Sequence, residues 1–180
     1  MREVVLDIET TGLDYKSGDK IIEVEALRYL YLDSLIRTPR ATGEGECLRV
    51  LVIGEILPRS TLKLIAMVSL AIGDFPQNVE LLAKPHPACQ LAPEDWGRLS
   101  CGIVERALDE IVDEYDVAIT SNQTAAAIDA YMSGKTVLTL LDPETFNLSP
   151  IKCFGGVQYF TNPRELAAAL EDDKARGRNE

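Results

Sequence analysis

A chain of 180 residues can bury one good hydrophobic core and carry an extension, but not two full domains. Its composition, 46% hydrophobic and 26% charged, is that of an ordinary globular protein, and a net charge of −11 argues against a broad face for nucleic acid or anionic membrane. Cys47, Cys89, Cys101 and Cys153 are widely spaced, with no C-x-x-C pair and one histidine in the chain, which gives a zinc site little support. Reduced thiols in a cytoplasmic protein are the expectation. The apolar windows at 62–72 and 117–141 are too short or too interrupted to span a bilayer. MREVVLDIE carries acids inside its apolar run and does not read as a signal peptide.

Residues 3–8 predict a strand, followed by a turn at Thr10-Thr11-Gly12-Leu13-Asp14. Met1 to about Ala26, with Leu6-Asp7-Ile8-Glu9-Thr10-Thr11-Gly12-Leu13 and Lys20-Ile21-Ile22-Glu23-Val24, resembles the opening of the DEDD-class proofreading 3′–5′ exonucleases. That resemblance implies divalent metal at Asp7 and Glu9. The later Asp and His of the family pattern are missing: the sole histidine is His86, and Leu91 stands five residues on. A metal-dependent exonuclease fragment is therefore kept as an alternative, and no metal is expected elsewhere. Leu27, Leu30, Tyr31, Leu35 and Ile36 fall at helical spacing, and TPRATGEGE at 38–46 has the composition of a linker. A domain boundary is expected near residue 45.

The apolar run Leu48–Ile56 predicts a strand buried on both faces of a parallel sheet. Pro58 and Ser60 open a helix to about Ile72, with Ser60 as N-cap, Gly73 as stop, and Leu62, Ile65, Ala66, Ser69 and Leu70 inward. Asn78–Ala83 is a second strand running into Lys84-Pro85-His86-Pro87, and strand ends of this kind are where open α/β sheets bind ligands. Gln90–Ser100 reads as a loop whose Trp96 is either packed or a stacking surface, and Gly102–Glu114 as an amphipathic helix. Val117–Ile119, the polar turn Thr120–Thr124, a small-residue helix ending at Gly134 and Val137–Leu141 make a βαβ unit with parallel strands. A loop at 142–156, a strand at Val157–Phe160 and a helix capped by Asn162-Pro163 through Leu170 complete the chain before a charged tail.

The fold expected is a doubly wound, Rossmann-like α/β layer with a mainly parallel sheet. Its parts are an amino-terminal segment and linker at 1–46, a domain at 47–171 and a tail at 172–180. No G-x-G-x-x-G follows the first strand, where Gly54 stands alone before Glu55, and no P-loop is present. A dinucleotide cofactor is disfavoured, and no cofactor is expected. What the two strand-end motifs offer is a cation (Lys84), an imidazole (His86), hydroxyls and amides (Ser121, Gln123, Thr124) and a helix start, a set suited to a diphosphate or nucleoside monophosphate. Asp129, one turn along, could accept from ribose hydroxyls. A polar turn before a helix is also simply an N-cap, and Lys-Pro-His-Pro also a rigid turn.

From about Leu48 to Leu170 the chain resembles the carboxyl-terminal, nucleotide-sugar-binding half of GT-B-fold glycosyltransferases, closest to those of bacterial surface carbohydrate, capsule and sialic-acid transfer. Lys84-Pro85-His86-Pro87 resembles the family's His-Pro motif, and Ser121-Asn122-Gln123-Thr124 its hydroxyl motif. Asp129, Gly134-Lys135-Thr136-Val137 and Tyr159–Leu166 resemble its acidic helix residue, its strand entry and its final strand and helix. Asp129 stands where Glu is usual, and Thr136 where Pro is. The resemblance implies donor binding, often of cytidine monophosphate, at Lys84, His86, Ser121, Gln123, Thr124 and Asp129. It also implies an inverting, metal-independent transfer for a complete site. The other half of such enzymes supplies the acceptor site and base, which residues 1–47 cannot make. The expected partners are a nucleotide or nucleotide sugar, and a second copy or separate amino-terminal half. A non-catalytic interaction or assembly module is the remaining alternative.

Overall fold

The first strands belong to a unit of their own. In a computed structural model the described residues are 5–10, 21–27, 47–76, 78–89, 91–152 and 154–176, and the chain divides into Met1–Ile36 and Arg37–Glu180. In the first unit β1 (Val5–Thr10) pairs antiparallel with β2 (Ile21–Leu27), Asp7 opposite Glu25 and Glu9 opposite Glu23. Leu27 thus ends a strand, whereas Leu30, Tyr31, Leu35, Ile36 and the linker at 38–46 lie outside the described residues.

In the second unit, the apolar run forms β3 (Leu48–Ile53) and is followed by α1 (Pro58–Ala71), β4 (Val79–Lys84), the short α2 (Pro93–Gly97) and the two-residue β5 (Gly102–Ile103). Then come β6 (Val117–Ser121), α3 (Ala126–Met132), β7 (Thr136–Leu140), β8 (Gln158–Phe160) and α4 (Pro163–Arg176). Six described strands form one sheet in the order β5-β4-β3-β6-β7-β8, and every pairing is parallel. This is a Rossmann-like α/β layer, and its strand order reverses direction between β3 and β6.

Side chains alternate across the sheet, so its central strands serve two cores. Leu48, Val50 and Val52 join Val117, Ile119, Leu138 and Leu140 on one face, covered by Leu64, Ile65 and Val68 of α1 and Leu166 and Leu170 of α4. Leu51, Ile53, Ala118 and Val137 face the other way, toward Ala127 and Ala130 of α3 with Ile111, Tyr115 and Ile151. Each fully buried Val, Leu or Ile contributes roughly 1.5–3 kcal/mol. Thr120 and Thr139, paired through their hydroxyls at 3.1 Å, place a buried polar contact between β6 and β7. At the opposite end of the sheet Asp116 accepts from the Arg49 N–H, Nε and Nη2, which ties the entry of β6 to β3.

Four elements depart from expectation, the first being α2 itself, a short helix opened by Pro93 inside the segment 90–100 expected as a loop. Ser60 is not the cap of α1; Leu57 precedes the helix without a side-chain bond, Pro58 opens it, and Gly73 falls within a following 3-10 turn at Ile72–Asp74. The buried face is Thr61, Leu64, Ile65, Val68 and Ala71, while Leu70 is 71% exposed and Ala66 is exposed. Thr61 sets this phase, because its hydroxyl accepts from the Glu55 N–H (2.8 Å) and donates to the Glu55 carbonyl (3.0 Å) and so must face inward. The segment Gly102–Glu114 is not a helix but β5, turns and a 3-10 turn at Val112–Glu114. Glu105/Asp109, Asp109/Asp113 and Glu110/Glu114 would be like charges four apart, which oppose a helix. Finally, α4 continues past Leu170 to Arg176, with Asp173 accepting from the Thr136 hydroxyl at 2.5 Å. No helix among the described residues is long and apolar enough to cross a membrane.

Candidate functional site

The registers of β3 with β4 and β6 bring three strand ends level. Ile53 pairs with Lys84 and Val52 with Ile119, so continuing the first register by two residues and the second by three sets Glu55 level with His86 on one side and Asn122 on the other. Gly54 makes this close approach possible: it donates its N–H to the Lys84 carbonyl at 2.9 Å. A Cβ on it would lie 3.0 Å from the Trp96 ring and 3.3 Å from the His86 nitrogen. Trp96 is buried against this glycine, so its role is packing.

Glu55 is the residue that sequence reasoning passed over. Its side chain is buried at the end of β3, and Oε2 accepts from the Ser121 hydroxyl at the end of β6. A carboxylate bridging the two strands on either side of the reversal point was signalled only by its place directly after an apolar run and a glycine. The bond commits the Ser121 proton, leaving that oxygen as an acceptor. Asn122, also buried, donates from Nδ2 to the Phe146 carbonyl (3.0 Å) and the Thr145 hydroxyl (3.3 Å), which holds the β7–β8 loop. Thr124 is buried, and its Oγ1 accepts from the Ala126 N–H at 3.3 Å, within the turn that starts α3. Gln123 between them is half-buried.

On β4, the Lys84 ammonium donates to the Arg106 carbonyl. Partial burial pulls its pKa below the ordinary lysine value, with Glu110 acting weakly the other way. His86 accepts at Nδ1 from the Ala88 N–H at 3.1 Å, which leaves Nε2 as the ring's outward donor. Asp129, on α3, is near enough to Tyr115 to add to the burial that pushes the phenol's pKa up. The structure thus gathers Ser121, Gln123 and Thr124 with Glu55 and Asn122, sets His86 on the neighbouring strand end, and turns Lys84 toward the Arg106 segment.

Beside these strand ends, Lys63 of α1 holds Asp142 and Glu144 of the β7–β8 loop, each at 2.6 Å, and Arg59 reaches Glu144 at 3.1 Å. Hydrogen bonds to the two carboxylates raise the Lys63 pKa, and Lys63 in turn holds both carboxyls below their ordinary range. A void of about 10 Å³ remains among Lys63, Ser121, Asn122, Asp142 and Thr145. No group of three His, Cys, Asp or Glu side chains among the described residues is placed to hold a metal. For Asp7 and Glu9 the backbone pairing on β1 is what the structure describes.

No protein-family model matches the chain, and no curated protein sequence does. Solved structures do match its fold. TarM superposes with a TM-score of 0.50 at 11% identity, over 80% of this chain and 33% of TarM. The second unit has the fold of one half of a GT-B glycosyltransferase. KpsC of Thermosulfurimonas dismutans, a β-Kdo 2,7 transferase, gives 0.48 at 16% identity over 76% of this chain and 48% of its own. The catalytic domain of the Helicobacter pylori cholesterol-α-glucosyltransferase gives 0.48 at 15% identity, over 72% and 93%. This chain spans about half the length of KpsC and a third of TarM. Identities this low speak for the fold alone.

Proposed function

We propose that the GT-B-like unit binds the nucleotide of a sugar donor at the carboxyl ends of β3, β4 and β6, in the service of surface-carbohydrate synthesis in the cytoplasm. The observation that carries this reading is the reversal of strand order between β3 and β6, with Glu55, His86 and Asn122 level around it. Open parallel sheets bind ligands at such a crevice. His86 Nε2 serves as a donor to a phosphoryl or sugar oxygen, and Thr124 with Gln123 meets the phosphate at the turn. Ser121 serves as an acceptor, Lys84 contributes positive charge from the β4 end, and Asp129 is the candidate for the ribose. A cytidine nucleotide is the first candidate, on the motif resemblance at His86 and Ser121–Thr124.

Glycosyl transfer also needs a base that takes the acceptor's proton. The proposal is therefore of a donor-binding half, with transfer occurring when an acceptor-binding half, from this or another polypeptide, closes over it. Titration with CMP, CDP, UMP and UDP tests the reading. One nucleotide is expected to bind saturably, and His86→Ala to weaken it by about tenfold or more, the loss of one well-placed hydrogen bond to an anion. Absence of binding by all four nucleotides would overturn it.

A further inference from the structure

The donors beside the β3–β6 crevice are already occupied by oxygens of the chain itself. The Lys63 ammonium lies 2.6 Å from both Asp142 Oδ2 and Glu144 Oε2. The Asn122 amide is spent on the Phe146 carbonyl and the Thr145 hydroxyl. Two carboxylates, a carbonyl and a hydroxyl thus surround an ammonium and an amide, as the oxygens of a bound phosphate would. The void left among them, about 10 Å³, holds roughly one water and no phosphate.

We propose that the segment Asp142–Leu148 is an internal anion mimic, and that Lys63 is the cation it keeps from ligand. The proposal rests on the nucleotide reading of the crevice and adds a residue and a competitor to it. An incoming phosphate or diphosphate exchanges for Asp142, Glu144 and the Phe146 carbonyl at Lys63 and Asn122, and the loop swings clear. The exchange needs no new cation, because Lys63 lines the same void as Ser121 and Asn122. Arg59, which reaches Glu144 at 3.1 Å from an 80% exposed side chain, is released in the same step. Phe146, 86% exposed, and Leu148 have few contacts to lose when the loop moves.

The test compares wild type, Asp142→Asn/Glu144→Gln and Lys63→Met by titration with CDP, inorganic pyrophosphate and cytidine, each variant's folding being checked by circular dichroism. Removing the competing charges is expected to tighten CDP and pyrophosphate on the order of tenfold, as loss of close like charges at a partly exposed site does, and to leave cytidine unchanged. Lys63→Met is expected to abolish pyrophosphate binding, and Lys63→Arg to retain it should the Met variant fail to fold. CDP is expected to speed amide exchange at 142–148 in the wild type. Equal CDP affinity in the wild type and the carboxamide variant overturns the mimic and leaves the nucleotide site standing. Tightened pyrophosphate without CDP binding supports the anion seat and overturns the nucleotide reading. Binding of neither by any variant overturns both.

Discussion

Thr61 shows how much one hydroxyl decides. It closes both backbone groups of Glu55, sets the rotation of α1 and lies 4.0 Å from the Cys89 sulfur. Thr61→Val keeps the shape but strands a buried N–H and carbonyl, which is expected to cost about 1–3 kcal/mol in urea denaturation, with Thr61→Ser recovering most of it. An unchanged midpoint in the Val variant would show that those groups find other partners. Neither this anchor nor the Glu55–Ser121 bond was legible in the sequence, because the latter joins residues 66 positions apart. Gly54-Glu55 read only as a missing dinucleotide fingerprint. His86, Ser121, Gln123 and Thr124 were legible, since a polar cluster directly after an apolar run marks the end of a buried strand.

At the scale of elements, parallel strands announced themselves through continuous apolar runs, and each of β3, β4, β6, β7 and β8 lies within a residue or three of its expected bounds. Helices were harder. A period of 3.6 tells that a face exists, but in α1 it could not fix which of two adjacent phases is inward, since Leu62 and Leu70 are as apolar as Leu64 and Val68. The corrected phase makes a sharp contrast. Ile65→Ala is expected to lose about 2–5 kcal/mol, while Leu70→Lys should stay within about 0.5 kcal/mol of wild type. Equal losses would mean that the exposed flank of α1 is covered in solution. In α4 the helix outran the expected end because 171–176 contains no Gly or Pro, and because the Asn162 carboxamide oxygen accepts the Glu165 N–H at 3.0 Å to start it firmly.

At the scale of the whole molecule, the tie between α1 and the β7–β8 loop joins residues 79 positions apart through charge-assisted hydrogen bonds. Lys63, foremost through its hydrogen bond, depresses the Asp142 and Glu144 pKa values, so the tie is fully present above the ordinary carboxylate values and is lost as pH falls through the depressed ones. The Lys63 pKa is raised, so the same tie persists below the ordinary lysine value and fails only in strong alkali. Amide NMR shifts at 142–148 followed from pH 7 to 3 are expected to move with a midpoint that rises to the ordinary carboxylate range in Lys63→Met; the same midpoint in both proteins would sink the assignment. A different consequence follows from the position of β3 in the sheet. The first strand of the layer to be synthesised is its centre, with β4 on one edge and β6 on the other. At about 5–20 residues per second the ribosome needs roughly 3–13 s to advance from Ile53 to Val117. Through that interval the apolar edge of β3 that will meet β6 has no mate on the emerging chain. Depletion of nascent-chain chaperones is therefore expected to lower this protein's yield more than its final stability.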